Sequence, residues 1–189
     1  TLRALLAGST AYFVGNAMQA MAAAWLVVEL TGSSFLAALV QTAVFLPMFL
    51  LSLPAGVMAD TTDRRRLILI SLAVQAVIVA LMAALMLAGW LGAGALLVLT
   101  FLVGCCAALM SPAWNSSVVD AVPREELPQA IAAVGIGYNG ARALGPAAAG
   151  AVYAAVGAGW VFVVAVLGIG AYRRAFELDT LFMGRTAAH

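Results

Sequence analysis

The sequence predicts an all-α membrane protein with six transmembrane helices. Of its 189 residues, 65% are hydrophobic and only 9% are charged, and the mean hydropathy is +1.09. A soluble domain carries about 25% charged residues because its surface faces water. The scarcity of charge here indicates a surface that faces lipid. Long segments without charge alternate with short charged clusters, which is typical of a chain that crosses a membrane several times.

The charged clusters and the Gly-rich breaks divide the chain into predicted spans. A spanning helix needs about 20 mainly apolar residues. The first break is at Gly32, and a Gly-rich stretch at 88–94 divides the uncharged run between Arg66 and Asp120 into two helices. We therefore predict one bundle over residues 1–172, followed by a polar cytoplasmic tail over 173–189. The predicted spans are 4–30, 35–59, 67–88, 94–115, 129–155 and 157–172, the last of them short for a full crossing.

The positions of the arginines predict the orientation of the bundle. All nine basic residues are Arg. All of them except Arg142 fall on one side of a six-span path, at positions 3, 64–66, 124, 173, 174 and 185. The opposite side carries Glu29 and no Arg. Because loops rich in Arg stay in the cytoplasm, we predict that both termini are cytoplasmic.

The loop between the second and third spans carries the most specific motif. It is formed by Gly56, Ala59, Asp60, Arg64 and Arg65. This spacing resembles the signature of the major facilitator superfamily, and it is similar to the branch that includes drug exporters and siderophore exporters such as the enterobactin exporter. The resemblance implies the N-terminal six-helix half of that fold, built from three-plus-three inverted repeats, with a gating loop that latches two halves together. Charge alone allows another interpretation, in which the Arg cluster only anchors the topology.

The predicted fifth span contains a second motif, formed by Gly140, Gly145, Pro146 and Gly150. Proline lacks a backbone N–H and kinks a helix, and glycine lets a neighbouring helix approach closely. Of these, Gly145, Pro146 and Gly150 also resemble the helix 5 signature of the antiporters of the same superfamily, which implies a conformational role. The alternative is ordinary packing through small residues.

Polar side chains within the spans mark a candidate substrate cavity. Arg142 lies near the middle of the fifth span, where a charge is costly unless it faces water or a partner. Asn139 precedes it by three residues and so shares its helical face, and Asn16 and Gln19 have the same spacing on the first span. We interpret these four residues as the cavity. The alternatives are a structural Arg142 bonded to carbonyls and Asn139, and interhelical hydrogen bonds by the amides.

Together with the resemblance, these features predict a secondary active transporter. The expected activity is efflux of a small siderophore- or drug-like molecule across the bacterial inner membrane by alternating access, as in the antiporters of that superfamily. The expected partners are the lipid bilayer, the substrate, a C-terminal six-helix half (in the same chain or as a second copy) and protons. We expect no nucleic acid, no cofactor and no metal. The alternative is a truncated membrane scaffold that does not transport.

An intramembrane enzyme is not expected. Such an enzyme needs catalytic groups at membrane depth, such as paired Asp residues or a Ser with a base. The single His is His189, the last residue, and the adjacent Cys105 and Cys106 point about 100° apart on a helix. The sequence therefore carries no catalytic constellation that we recognise.

Overall fold

The computed structural model describes the backbone of residues 2–120 and 122–186 and the side chains of residues 6–120 and 122–178. Within these ranges every regular element is an α-helix, so the predicted all-α class is confirmed for the described part. The helices are α1 (Leu2–Thr31), α2 (Ser34–Thr61), α3 (Arg64–Leu87), α4 (Ala93–Asp120), α5 (Leu127–Val156) and α6 (Ala158–Thr186).

Local chemistry explains where several helices begin and end. Gly32 and Gly157 directly follow α1 and α5, and Gly89 lies just beyond α3; their φ angles are 65°, 91° and 74°. Glycine adopts such positive angles without the steric cost that a Cβ brings. Ser33 and Asp63 accept hydrogen bonds from the first backbone N–H groups of α2 and α3, respectively. Each turn is short, so consecutive helices run antiparallel.

Helix α1 lies at the centre of the bundle. It packs most extensively on α6 and α5, and it also contacts α2 and α4. In addition, α2 packs on α4, and α3 packs on both α4 and α6. The crossing of α1 and α6 is close because Gly15 faces Ala165: an added Cβ on this glycine would lie 3.2 Å from the Cα and the carbonyl oxygen of Ala165. This arrangement places one face of α1 against α2 and α5, and a cavity lies between these three helices.

The outer surface identifies the solvent around the bundle. On α2, Phe49 and Leu53 are 81% and 83% exposed, and most large side chains of this helix point outward. Soluble monomers rarely expose so large an apolar surface. Among the described residues, four helices are long and apolar enough to cross a membrane: α1 (from Leu6), α2, α3 and α4. The chain is therefore a membrane protein.

Helices α5 and α6 differ from the other four in composition. The middle of α5 carries Asn139 and Arg142, and the second half of α6 carries Arg173 and Arg174. Neither helix is identified as a span by length and composition within the described part of the chain. A crossing by α5 and α6 stays a prediction.

Helix α6 does not end near residue 172, as the sequence analysis expected, but continues to Thr186. Phe176 is buried next to Tyr172, with ring centroids 6.3 Å apart, and Arg173 Nε donates to Glu177 Oε1 at 2.9 Å. The burial of Phe176 and the ion pair between Arg173 and Glu177, which lie one turn apart, stabilise a helical segment that is no longer wholly apolar. The predicted span 157–172 follows the apolar run alone and stays a prediction, whereas the helix itself continues beyond it. Residues 187–189 of the predicted tail lie outside the described residues.

Candidate functional site

A cavity of about 270 Å³ lies between α1, α2 and α5, and we call it the main cavity because Arg142 lines it. Its lining residues recur three or four positions apart on each helix, so one face of each helix forms a wall. The cavity combines one charged side chain with amides, aromatic rings and apolar groups. Its lining residues are Phe13, Asn16, Ala17, Ala20 and Met21 of α1, Gln41, Val44 and Phe45 of α2, and Tyr138, Arg142 and Pro146 of α5.

Arg142 supplies the charge of this cavity. It stands near the middle of α5, which spans Leu127–Val156, so about 20 Å of helix extends on either side. Its guanidinium carbon lies 5.7 Å from the centroid of the Tyr138 ring, within the range of a cation–π interaction. Among the described residues, no ion pair includes Arg142. The cavity therefore presents a cation whose charge no carboxylate compensates.

Pro146 and Gly145 shape the wall beside Arg142. Because proline has no N–H, Pro146 leaves the carbonyl of Arg142, four residues earlier, without its usual helical donor. Gly145 lies against Ala17 of α1, where an added Cβ would be only 2.6 Å from the Ala17 Cβ. The glycine thus allows α5 to approach α1 closely next to the charged residue.

The remaining glycines of the helix 5 motif have more open surroundings. An added Cβ at Gly150 would meet the Trp25 ring at 3.5 Å, an ordinary contact, and one at Gly140 would meet no atom within 4 Å. A tighter position is Gly104 of α4, which the sequence analysis did not select. Its added Cβ would lie 2.9 Å from Pro47 Cγ of α2. A sequence does not reveal which helices cross, so no signal distinguished this glycine.

The two amides of α1 occupy different positions. Asn16 lines the main cavity, and its Oδ1 accepts from Gln75 Nε2 at 3.3 Å; the Oε1 of Gln75 in turn accepts from the Tyr12 hydroxyl at 3.1 Å. Gln19 is buried, and its Nε2 donates to the sulfur of Met82 at 3.8 Å. Gln19 lines a smaller cavity of about 40 Å³, which Asn16 also lines. Of the two, only Asn16 reaches the main cavity.

Asn139 does not join the main cavity. Its Nδ2 donates to the carbonyl of Gly135 in the same helix at 2.8 Å, and its side chain is exposed. The structure thus brings Arg142 together with Asn16 but not with Asn139. It adds cavity residues that were not selected from the sequence. Of these, Tyr138 could have been found, because it lies one turn before Arg142 and so shares its helical face. The aromatic and polar residues that it adds are Phe13, Gln41, Phe45 and Tyr138.

The loop between α2 and α3 contains one cross-helix ion pair. Arg64 Nη1 donates to Asp120 Oδ2 at 2.7 Å, which joins the beginning of α3 to the end of α4. Asp60 and Arg65 are exposed and form no ion pair among the described residues. An added Cβ at Gly56 would meet no atom within 4 Å. The sequence alone does not pair Asp120 with Arg64, because the two residues lie 56 positions apart along the chain.

A second cross-helix contact lies at the opposite end of the bundle. The Tyr153 hydroxyl of α5 donates to Glu29 Oε2 near the end of α1. The rings of Trp25 and Tyr153 also contact each other, with centroids 5.6 Å apart. Helices α1 and α5 are therefore joined both beside the cavity and at this end.

Among the described residues, no group of three or more His, Cys, Asp or Glu side chains is placed to hold a metal ion.

Comparison with known proteins identifies the family. No curated protein and no solved structure matches the chain. A family model described as Transmembrane secretion effector matches residues 1–175. The chain therefore belongs to the Transmembrane secretion effector family of the major facilitator superfamily, whose members transport substrates across membranes.

Proposed function

We propose that this chain forms the six-span half of an exporter that moves a small siderophore- or drug-like molecule out of the bacterial cytoplasm. The observation that carries the proposal is Arg142, a mid-helix cation that faces a cavity in a chain of a transporter family. An ionisable group at membrane depth is costly, and it marks a substrate or ion pathway. Secondary transporters bind their substrates near the midplane of the membrane.

Six crossings and an inverted repeat are part of this proposal. Helices α5 and α6 contain 30 and 29 residues, and about 20 residues suffice for a crossing. The helix contacts favour a twofold relation: α2 packs on α4 as α5 packs on α1, and α3 packs on α4 as α6 packs on α1. Exchanging α1–α3 with α4–α6 leaves this pattern unchanged. The Arg distribution favours an orientation in the inner membrane with both termini in the cytoplasm.

The proposed transporter needs a second wall for its cavity. Apolar side chains of α2 at the cavity and next to it are exposed, with Phe45 and Phe49 at 53% and 81%. We propose that a C-terminal six-helix half covers them, either in the same polypeptide or as a second copy. Rocking of the two halves about a site between them then gives alternating access.

The two sequence motifs have proposed roles in this motion. The loop formed by Gly56, Asp60, Arg64 and Arg65 is the cytoplasmic latch between the halves. Helix α5, with Gly140, Gly145, Pro146 and Gly150, is the element that changes its packing. A secondary transporter that exports its substrate against a concentration gradient requires a coupling ion. We propose that this ion is the proton, for which the bacterial inner membrane maintains a gradient.

Uptake into inside-out membrane vesicles tests the proposal. Vesicles that contain the complete native polypeptide are energised with a proton gradient and offered a panel of siderophore- and drug-like compounds. We expect uptake of at least one compound. Arg142→Ala is expected to abolish this uptake while the amount of protein in the membrane stays unchanged. Arg174→Ala removes an exposed cation outside the cavity and is the matched control, with uptake retained.

Two results would contradict the proposal. If the wild-type protein takes up none of the compounds under either a proton or a sodium gradient, the scaffold alternative is favoured. If Arg142→Ala takes up substrate at the wild-type rate, Arg142 has no part in transport. Immunoblots of the vesicles separate both results from a loss of insertion.

A further inference from the structure

The charge that lines the main cavity is of one sign. Among the described residues that line it, Arg142 is charged and none carries a carboxylate. The nearest acidic residues along α1 and α2 are Glu29 and Asp60, which stand close to the helix ends, and Glu29 accepts a hydrogen bond from Tyr153. At low dielectric an uncompensated cation attracts anions and repels cations strongly. The cavity therefore favours a ligand with an acidic group.

Aromatic rings lie next to this cation. Phe13 of α1 and Tyr138 of α5 form an edge-to-face pair, with ring centroids 5.3 Å apart and an interplanar angle of 86°. The same Tyr138 ring lies beside the guanidinium of Arg142, and Phe45 contributes a third ring from α2. Aromatic side chains bind a further ring through edge and offset-stacked contacts. A planar guanidinium also stacks on aromatic faces.

The distance between these groups limits the ligand. Because the guanidinium of Arg142 and the ring of Tyr138 lie one turn apart on α5, and Phe13 contacts that ring, an acid group and an aromatic ring must be directly bonded or nearly so to reach both. The amides of Asn16 and Gln41 both donate and accept, so they accommodate hydroxyl substituents on the ring.

We infer that the main cavity binds a compact aromatic organic anion, with Arg142 on the acid group and Phe13 and Tyr138 against the ring. This inference rests on the proposed function, because it names the substrate class of the same cavity. The carbonyl of Arg142, which Pro146 leaves without a donor, is an acceptor for a hydroxyl group of the ligand.

Three related probes separate charge from aromaticity. Naphthalene-2-sulfonate carries a permanent anion and a ring, cyclohexanesulfonate carries the anion without an aromatic ring, and naphthalene-2-sulfonamide carries the ring without the full charge. Binding to the complete native protein in detergent is measured by naphthalene fluorescence, and for cyclohexanesulfonate by competition. We expect naphthalene-2-sulfonate to bind at least about tenfold more tightly than either analogue, since each analogue loses one set of contacts.

Paired variants assign these contacts to residues. Arg142→Gln is expected to weaken binding of naphthalene-2-sulfonate about 10- to 100-fold, the usual effect of losing a hydrogen bond to a charged group, and to leave the sulfonamide nearly unchanged. Arg142→Lys keeps the charge and should lose less. Tyr138→Leu is expected to weaken both naphthalene probes but not cyclohexanesulfonate, whereas Tyr138→Phe keeps the ring and should bind all three as the wild type does.

Equal affinity for naphthalene-2-sulfonate and cyclohexanesulfonate would overturn the inference, and so would unchanged binding in Arg142→Gln. If Arg142→Gln does not fold, as judged by gel filtration, probe binding by Arg142→Lys, Tyr138→Leu and Tyr138→Phe tests the inference instead. Binding of the aromatic anion without vesicle uptake of any compound would contradict the proposed function and leave the inference standing. Uptake of other compounds by a protein that does not bind the aromatic anion would overturn the inference and leave the proposed function standing.

Discussion

Arg64 and Asp120 form an ion pair, with 2.7 Å between Nη1 and Oδ2, that neither of their own helices favours. Arg64 is the first residue of α3, and Asp120 is the last residue of α4. The positive end of a helix dipole disfavours a cation, and the negative end disfavours an anion. The side chains are 42% and 70% exposed, so burial does not explain their pairing either. The pair therefore joins α3 to α4 at the proposed latch, of which Arg64 is a part.

Exchanging the two charges tests whether the pair acts in transport. We expect Arg64→Asp and Asp120→Arg each to slow vesicle uptake, because each places like charges together. Each should change the free energy of unfolding by less than about 1 kcal/mol, since exposed pairs contribute little. The double exchange restores the pair and agrees with both helix dipoles, so it should recover uptake. A double variant that transports no better than the single ones would limit the pair to a local contact.

Asp60 is the residue of the latch that has an unpaired carboxylate among the described residues. It lies near the end of α2, where the helix dipole disfavours an anion, so its own helix does not account for it. We expect Asp60→Asn to reduce vesicle uptake at least several-fold while expression stays normal. Asp63→Asn is the control, because Asn also caps a helix well. If Asp60→Asn transports normally, the loop serves only as a topology anchor.

The crossing of α2 and α4 depends on Gly104. An added Cβ would lie 2.9 Å from Pro47 Cγ and 3.0 Å from the backbone oxygens of Ala43 and Val44, which cannot move independently of the helix. We expect Gly104→Ala to destabilise the fold by about 1–3 kcal/mol, as overpacking does. Gly170→Ala, where no atom lies within 4 Å, should be neutral or stabilising because alanine favours helix. Thermal unfolding in detergent compares the two, and equal midpoints would contradict the prediction.

The buried chain from Tyr12 through Gln75 to Asn16 joins α1 to α3. Gln75 is fully buried and Tyr12 is 4% exposed, and the Tyr12 hydroxyl depends on Gln75 Oε1 for its hydrogen bond. We expect Gln75→Leu to destabilise the fold by about 1–3 kcal/mol, because it leaves a buried hydroxyl unsatisfied. Adding Tyr12→Phe removes that hydroxyl and should recover part of the loss. Additive effects in this double-mutant cycle would mean that the two groups do not interact.

The solvent and the helical class followed from the sequence alone. Few charges and long apolar runs indicated a membrane, and in lipid the backbone must satisfy its own hydrogen bonds, which favours helices. Gly32 and Gly89, which lie in the predicted breaks, have positive φ angles in the structure. The predicted span 157–172 follows the apolar run, whereas Phe176 and Arg173 belong to a helix that continues beyond it.

The sequence by itself determined that Arg142 stands at the middle of an apolar helix and therefore requires an unusual environment. Only the tertiary structure decided that Asn16 shares its cavity while Asn139 does not, and that Arg64 pairs with Asp120. The physical reason is that helical periodicity determines which residues share a face of one helix. It does not determine how that helix is rotated against its neighbours, which depends on contacts such as Gly145 with Ala17 between residues far apart in the chain.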